Sequence, residues 1–213
     1  GDNNWFYADS HGRNVTGAQI INGQHLYFDA NGRQVKGGFV TNTDGSRSFY
    51  HWNTGDKLVS TFFTTGHDRW YYADDKGNVV TGAQVINGQK LFFATDGKQV
   101  KGDFATNANG SRSYYHGATG NKLVSTFFTT GDNNWYYADA KGELVVGEQT
   151  INGQNLYFDQ TGKQVKGATA ANPDGSISYY DVHTGEKAIN RWVKIPSGQW
   201  VYFNAQGKGY VSN

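Results

Sequence analysis

Aromatic, amide and ammonium side chains recur along this chain at a fixed spacing. Four tryptophans stand 65 residues apart, at Trp5, Trp70, Trp135 and Trp200. Each of them is followed two positions later by a tyrosine, and the first three are followed 29 and 31 positions later by a glutamine and a lysine. A flat aromatic ring can stack on an apolar face, while amide and ammonium groups hydrogen-bond with hydroxyls at its edge. This combination suits noncovalent recognition of a neutral sugar, since a pyranose offers apolar C–H faces and a rim of hydroxyls.

Each interval supplies one set of candidate binding residues. The first set is Trp5, Tyr7, Gln24, Tyr27, Gln34 and Lys36. The second is Trp70, Tyr72, Gln89, Phe92, Gln99 and Lys101, and the third is Trp135, Tyr137, Gln154, Tyr157, Gln164 and Lys166. The periodicity leaves open which aromatics stack on a ligand and which fill the core, because repeated units must also bury apolar surface. The tryptophan is the better binding candidate, since Leu26 and Ser48 occupy its aligned positions.

The 65-residue period contains a shorter one. Aromatic doublets begin at Phe6, Tyr27, Phe49 and Tyr71, which indicates a unit of about 21 residues. We therefore expect one elongated repeat domain over residues 1–213. Its predicted parts are copies at 1–65, 66–130 and 131–195 and a terminal cap at 196–213.

Composition favours an all-β fold. The chain has 29 glycines, only two prolines, 15% aromatic residues and a mean hydropathy of -0.68, which suits short strands and many turns. A net charge of +1 argues against nucleic acid as a partner. There is no cysteine, the histidines lack metal-ligand spacing, and no apolar run is long enough to span a membrane. No metal and no cofactor are expected.

The units read as β-hairpins. One runs from Leu26 to Asp29, turns at Asn31-Gly32 and returns through Gln34 to Lys36. An isolated hairpin is marginally stable in water, so the sequence predicts a β-solenoid of stacked β-hairpins. The third copy drifts from the other two, as terminal repeats often do, which places Trp192 and Trp200 near the C-terminal cap.

Catalysis by this chain is not expected. Cleavage of a glycosidic bond needs two carboxylates held across it, and no pair of acidic residues stands out from the turn positions. A binding module is the better interpretation. A structural spacer or adhesin is the alternative from a third class.

Two strings carry a family resemblance. Residues 15–29 and 31–37 closely resemble the glucan-binding repeats of secreted bacterial glucansucrases and related glucan-binding proteins, and similar strings recur in order three times. The resemblance implies about three hairpins per solenoid turn, so that one 65-residue copy makes one turn. It also implies an α-glucan partner such as dextran or an isomalto-oligosaccharide. The chain would be the accessory domain of a secreted, extracellular parent, attached to its catalytic domain and associated with the cell surface or a glucan matrix. With no methionine and no leader at its start, we expect the chain to be a segment of a longer precursor.

Choline-binding modules of cell-wall hydrolases are wider relatives of this repeat. They typically carry tryptophan directly after the glycine that closes the second strand, where it forms a wall of an aromatic box around a quaternary ammonium. Here Ala18, Ala83 and Glu148 take that place. The next residues are Gln19, Gln84 and Gln149, which complete the candidate sites because an amide can hydrogen-bond with sugar hydroxyls. This departure favours glucan over choline, and the choline or cell-wall module remains the alternative.

Overall fold

The computed structural model describes residues 4–131 and 134–211, so the two ends of the predicted domain, 1–3 and 212–213, lie outside the described residues. The strands of the first third are β1 (Gly17–Ile21), β2 (Gln24–Phe28), β3 (Gly38–Thr41), β4 (Arg47–Tyr50), β5 (Thr61–Thr64) and β6 (Trp70–Ala73). Those of the middle third are β7 (Gly82–Ile86), β8 (Gln89–Phe93), β9 (Asp103–Thr106), β10 (Arg112–Tyr115), β11 (Thr126–Thr129) and β12 (Trp135–Ala138). Those of the last third are β13 (Gly147–Ile151), β14 (Gln154–Phe158), β15 (Ala168–Ala171), β16 (Ile177–Tyr180), β17 (Arg191–Lys194) and β18 (Trp200–Phe203).

Every strand pairs only with its neighbour in sequence. The 18 strands form two-stranded sheets, β1 with β2, β3 with β4 and so on to β17 with β18. No helix occurs among the described residues, and therefore none that could cross a membrane. The prediction of an all-β chain of repeated hairpins is confirmed.

The hairpin that contains Leu26 lies earlier in the chain than the sequence predicted, and so do its equivalents in the other copies. β1 and β2 pair from Gly17↔Phe28 to Ile21↔Gln24, around a turn at Asn22-Gly23. Both turn residues have positive φ, 50° and 81°, as a two-residue type I′ turn requires. The predicted turn at Asn31-Gly32 also exists. Only its glycine has positive φ, and the returning segment forms one isolated bridge, between Phe28 and Gln34.

Within each compact part of the described chain, main-chain hydrogen bonds link a hairpin to the preceding one. The segment that returns after β2 donates from Gln34 N to Trp5 O at 2.8 Å, and the one after β6 donates from Val79 N to Arg47 O at 2.7 Å. Later in the chain Gln164 N donates to Trp135 O at 2.7 Å. The short third segment of a hairpin therefore joins its own second strand to that of the hairpin before it. This is how residues about 30 positions apart come together.

The chain divides into two compact units, Gly1–Asp103 with Tyr115–Asn121 and Phe104–Tyr114 with Lys122–Asn213. In the first unit Phe63 stacks between Phe49 and Tyr71, with ring centroids 4.6 and 5.3 Å away. A neighbouring cluster buries Leu91 and Phe93. These aromatic stacks provide the burial that a two-stranded sheet lacks by itself.

The second unit repeats this packing. Phe128 stacks between Tyr114 and Tyr136, with centroids 4.6 and 5.4 Å away. The last hairpin, β17–β18, closes on a core that includes Val201 and Phe203. Trp192 and Trp200 lie on this last hairpin, and their side chains are exposed.

Candidate functional site

Three predicted residues of each copy meet in one place, which we call the Trp–Gln–Lys cluster. The clusters are Trp5, Gln34 and Lys36; Trp70, Gln99 and Lys101; and Trp135, Gln164 and Lys166. The lysine Nζ lies 5.0, 5.3 and 5.1 Å from the indole centroid in the first, second and third cluster. The glutamine main-chain N donates to the tryptophan carbonyl at 2.8, 2.7 and 2.7 Å. The same geometry therefore recurs three times.

The backbone explains why the lysine meets the indole. The bond from Gln34 N to Trp5 O fixes the returning segment beside the tryptophan. In an extended segment residues i and i+2 point to the same side, so Lys36 follows Gln34 onto the cluster. Lys36 Nζ also donates to Asn53 O at 3.1 Å, and in the third copy Lys166 Nζ donates to His183 O at 3.3 Å. A lysine held over an indole within about 6 Å forms a cation–π contact, which orders both side chains.

The indoles stay accessible. Trp5 is 61% exposed and Trp135 is 40% exposed, while Trp70 is partly buried. Trp70, Gln99 and Lys101 line an open groove of about 820 Å³, and Gly117 also lines it. A groove of this volume can accept more than one pyranose ring.

The glutamines of the three clusters are buried or half-buried. Gln99 and Gln164 are only 6% exposed. Gln34 Nε2 donates to Thr54 O at 3.2 Å, and a Cβ placed on Gly55 would lie 2.3 Å from that nitrogen. The amide thus packs against a glycine turn of the following hairpin, so its main effect is to position the lysine and the tryptophan.

The remaining predicted glutamines lie elsewhere on the hairpins. Gln19, Gln84 and Gln149 each donate from Nε2 to a carbonyl three residues earlier, at 2.9, 2.8 and 2.8 Å. Gln24, Gln89 and Gln154 each begin the second strand after the tight Asn-Gly turn. Gln24 and Gln89 are exposed, and Gln154 is half-buried.

Most of the predicted tyrosines, together with Phe92, are half-buried and contact other rings of the fold. Tyr27, Phe92 and Tyr157 lean on the buried rings of Tyr50, Tyr115 and Tyr180, with centroids 5.8, 5.7 and 5.5 Å apart. Tyr72 and Tyr137 contact Phe62 and Phe127 at 4.8 and 4.7 Å and pack against buried clusters. Tyr7 is the exception. It is 45% exposed, because no strand among the described residues pairs with its segment as β5 pairs with that of Tyr72.

Glu148 forms a polar contact that sequence reasoning did not anticipate. Its Oε1 accepts hydrogen bonds from Tyr180 Oη at 2.9 Å and from Lys187 Nζ at 2.5 Å. Burial raises the pKa of Glu148, but these two hydrogen bonds outweigh burial and hold the pKa below its ordinary value. Burial, and then the neighbouring carboxylate, raises the pKa of Tyr180. The only sequence signal was that Ala18 and Ala83 occupy the equivalent positions.

Trp52 is the second residue that sequence reasoning missed. It is 49% exposed and stacks on His51, with ring centroids 4.7 Å apart. It escaped notice because it breaks the 65-residue period, since Gly117 and Val182 stand at the equivalent positions. No group of three or more metal-ligating side chains occurs among residues 4–131 and 134–211.

The fold and the recurring clusters define a class, that of repeat modules which present one surface several times. The profile of the choline-binding repeat matches residues 15–62, 80–127 and 145–192, which together exceed half of the chain. A profile described as a putative cell wall binding repeat matches residues 60–79, 125–144 and 190–208. The chain belongs to the choline-binding repeat family.

Curated relatives are glucosyltransferases. Glucosyltransferase-S of Streptococcus mutans serotype c is 41% identical over 203 residues, covering 95% of this chain and 14% of the relative. Glucosyltransferase-I of the same organism is 46% identical over 182 residues, covering 85% of this chain and 12% of the relative. The resemblance to glucansucrase repeats is confirmed. The chain spans less than a fifth of each relative and corresponds to a small repeat domain of these larger proteins, in keeping with a binding module.

Solved structures share the fold. Choline-binding protein F from Streptococcus pneumoniae has a TM-score of 0.69 and 19% identity, covering 98% of this chain and 76% of that one. The choline-binding domain of CbpL from the same species has a TM-score of 0.65 and 20% identity, covering 93% of this chain and 99% of that one. At this level of identity the likeness concerns the fold alone.

Proposed function

We propose that this chain is a non-catalytic module that binds α-glucan, such as dextran or isomalto-oligosaccharides, through its Trp–Gln–Lys clusters. The observation that carries the proposal is the recurrence of cluster geometry in the third copy. There Phe104 and Arg112 of the second copy are replaced by Thr169 and Ile177, yet the lysine still lies 5.1 Å from the indole centroid. Copying by duplication would explain an identical repeat, but a repeat that has drifted around an unchanged cluster favours a function for that cluster.

The chemistry of the cluster suits a neutral sugar. The exposed part of the indole offers a flat apolar platform for the C–H face of a pyranose. Lysine has three N–H donors, of which Lys36 uses one on Asn53 O, so donors remain for hydroxyls of the sugar. Stacking together with edge hydrogen bonds is the combination that sugar recognition requires.

Choline is the second candidate, because the family and its solved members carry that name. Two features argue against it here. The lysine ammonium already occupies the cation–π position at each indole, so a quaternary ammonium there would meet a like charge. The position that carries an aromatic wall in choline modules holds Ala18, Ala83 and Glu148.

Three equivalent clusters suit a polymer of identical sugars. A glucan that engages several weak sites gains avidity of roughly 10² to 10⁴ over a single site when the spacing permits simultaneous contact. Within each compact unit we propose β-solenoid stacking with about three hairpins per 65-residue turn, supported by the main-chain bonds from Gln34 to Trp5 and from Gln164 to Trp135.

The relatives support a proposal about the parent protein. We infer that the chain is the accessory domain of a secreted glucansucrase, where it would keep the enzyme on its growing product or attach it to an extracellular glucan matrix. Support comes from the glucosyltransferases that match 85–95% of the chain.

Affinity electrophoresis tests the ligand class. The purified chain is run in native gels that contain dextran, starch or choline, with a non-binding protein as mobility reference. We expect retardation by dextran. Free migration in dextran together with a response to choline would overturn the proposal in favour of the cell-wall alternative, and no response to any of the three would favour a spacer.

A further inference from the structure

We propose that the three clusters are unequal and that Trp52 determines the difference, by giving the first groove a second aromatic platform for a longer stretch of ligand. This inference rests on the proposed binding of α-glucan and adds a specificity-determining residue to it. Trp52 lies outside the repeat pattern, since Gly117 and Val182 replace it in the other two copies.

The second groove locates this position. Gly117 and Ala118 line the groove together with Trp70 and Lys101. Gly117 follows Trp52 by 65 residues, so the repeat places Trp52 at the equivalent point beside Trp5 and Lys36, the region that we call the first groove. The local contacts agree with this placement, because a Cβ added at Gly37 would lie 3.2 Å from Trp52 Cβ, next to Lys36.

Lys36 connects the two sides of the first groove. Its Nζ lies over the ring of Trp5 and donates to the carbonyl of Asn53, the residue after Trp52. Lys36 therefore contacts Trp5 through its ammonium group and the residue next to Trp52 through a hydrogen bond, and its other N–H donors can serve a ligand. A single pyranose can stack on one indole, whereas a linear oligosaccharide of several units can use both.

The Trp52 ring is both held in place and accessible. His51 stacks on it at 4.7 Å with an interplanar angle of 27°, and Phe49 meets it edge-on at 6.4 Å. It nevertheless remains 49% exposed. An aromatic side chain that is ordered before binding loses little conformational freedom when a ligand stacks on it.

The other two copies lack this platform. Gly117 lines the second groove without a side chain on which a ligand could stack. In the third copy Val182 takes the place, and its Cγ2 lies 3.1 Å from a Cβ added at Gly167. An aliphatic side chain offers no flat face for stacking. The first cluster should therefore bind long linear ligands more tightly than the other two.

Reciprocal substitutions test the inference. Trp52→Gly is made in a Trp70→Ala/Trp135→Ala background, so that only the first cluster reports. Gly117→Trp is made in a Trp5→Ala/Trp135→Ala background. Gly117 tolerates a side chain, because it has no positive φ and the nearest atom to an added Cβ is Gly102 Cα at 3.7 Å.

Calorimetric titration with isomalto-oligosaccharides of increasing length gives the readout. For Trp52→Gly we expect the Kd of the longer ligands to rise about 2- to 13-fold, the factor that corresponds to one aromatic contact of about 0.5–1.5 kcal/mol. The Kd of the shortest ligand should not change. For Gly117→Trp we expect the opposite change in length dependence. Trp52→Val, which carries the residue of the third copy, should behave like Trp52→Gly.

The outcomes separate the two proposals. If the wild-type chain binds isomalto-oligosaccharides but length dependence is the same with and without Trp52, the inference is overturned while glucan binding stands. If the wild-type chain binds no α-glucan, both fail. Far-ultraviolet circular dichroism of each variant, with Trp192→Gly as a control on another exposed tryptophan, verifies that the fold is retained.

Discussion

The hairpins β3–β4 and β9–β10 of the first two copies are stabilised by different contacts from the equivalent hairpin of the third copy, β15–β16. In the first copy the Arg47 guanidinium lies 4.1 Å from the Phe39 ring centroid and donates to Asp96 O at 2.9 Å. The second copy repeats this with Arg112 and Phe104 at 4.2 Å. In the third copy both members of the pair are lost together.

The third copy keeps a main-chain bond of the other two and adds a second one. Gly209 N donates to Ile177 O at 2.9 Å, as Val79 N donates to Arg47 O, and Ile177 N also donates to Gly209 O at 2.8 Å. Meanwhile the distance from lysine Nζ to the indole centroid stays between 5.0 and 5.3 Å in all three copies. The supporting contacts are therefore interchangeable, whereas the geometry of the Trp–Gln–Lys cluster is the same in all three copies.

The largest predicted effect concerns the tryptophans of the three Trp–Gln–Lys clusters. Replacing Trp5, Trp70 and Trp135 together by alanine should reduce dextran retention by about 10²-fold or more, because avidity through several sites is lost. One replacement alone should cost much less. Retention is read from electrophoretic mobility against dextran concentration.

The matched control replaces apolar side chains that recur outside the clusters. Val59, Val124 and Ile189 are equivalent in the three copies and are 50%, 41% and 49% exposed. Their triple alanine variant should migrate like the wild type. Equal loss in both triple variants would mean that retention does not depend on the clusters.

A smaller effect is expected for the glycine turn that contacts the glutamine of the second cluster. Gly120 has a φ of +71°, and a Cβ there would lie 2.3 Å from Gln99 Nε2. Gly120→Ala should cost about 1–3 kcal/mol of unfolding free energy from backbone strain and should also displace Gln99, which weakens ligand binding. Urea unfolding and dextran mobility measure the two effects.

Gly88→Ala is the control for this prediction. Gly88 has a similar φ of +76°, but no atom lies within 4 Å of an added Cβ. It should lose stability through strain alone and keep its affinity for dextran. A loss of affinity in Gly88→Ala would show that binding responds to general destabilisation.

A double-mutant cycle can test the contact between Phe39 and Arg47, which the third copy lacks. Phe39→Thr and Arg47→Ile convert the first copy to the residues of the third. Because the guanidinium and the ring contact each other, we expect a coupling energy of about 0.5–2 kcal/mol, obtained from urea unfolding of the two single variants and the double variant. Additive losses would contradict a direct contribution from the pair.

The smallest predicted effect concerns Glu148, present only in the third copy. Its pKa is lowered in the folded chain, so the stability that it contributes is present above its unfolded pKa and is lost as pH falls through the folded value, below 4.5. Its side chain is 54% exposed, so solvent screening limits the contribution to about 1 kcal/mol or less.

Glu148→Gln provides the measurement. The difference in unfolding free energy between wild type and variant should shrink when pH falls from about 6 to about 3, since the carboxylate is then protonated. Glu186→Gln, a carboxylate-to-amide change on a neighbouring turn, controls for general effects of acid. A difference that does not change with pH would contradict the assigned hydrogen bonds from Tyr180 and Lys187.

The sequence predicted the repeat and the all-β class, because a fixed period is visible without coordinates. It also named the members of the Trp–Gln–Lys clusters, but only among seven candidate residues in each copy. It did not distinguish two Asn-Gly dipeptides. Asn22-Gly23 forms a type I′ turn, but at Asn31-Gly32 the Asp29 carboxylate accepts the main-chain N–H of Asn31 at 2.8 Å and of Arg33 at 2.9 Å. These hydrogen bonds to the Asp29 side chain favour a different turn type. The Asn-Gly dipeptide alone does not predict them, because they involve a residue outside it.

Periodicity also could not separate binding aromatics from packing aromatics. Trp5 and Tyr27 both stand at recurring aromatic positions, and only the structure shows that Tyr27 is half-buried beside the ring of Tyr50 whereas Trp5 is 61% exposed. Trp52 was missed for the opposite reason, since a residue that occurs in one copy leaves no periodic signal. Functional differences between repeats therefore have to be sought where the period fails.

NMR of the indole N–H groups during titration with dextran tests the central claim most directly. The chain has six tryptophans. Four lie at clusters or at the first groove, Trp5, Trp52, Trp70 and Trp135. The other two, Trp192 and Trp200, are equally exposed on the last hairpin and serve as internal references. We expect dextran to shift the resonances of Trp5, Trp52, Trp70 and Trp135 and to leave those of Trp192 and Trp200 unchanged. Shifts confined to Trp192 and Trp200, or no shift at saturating dextran, would contradict this expectation.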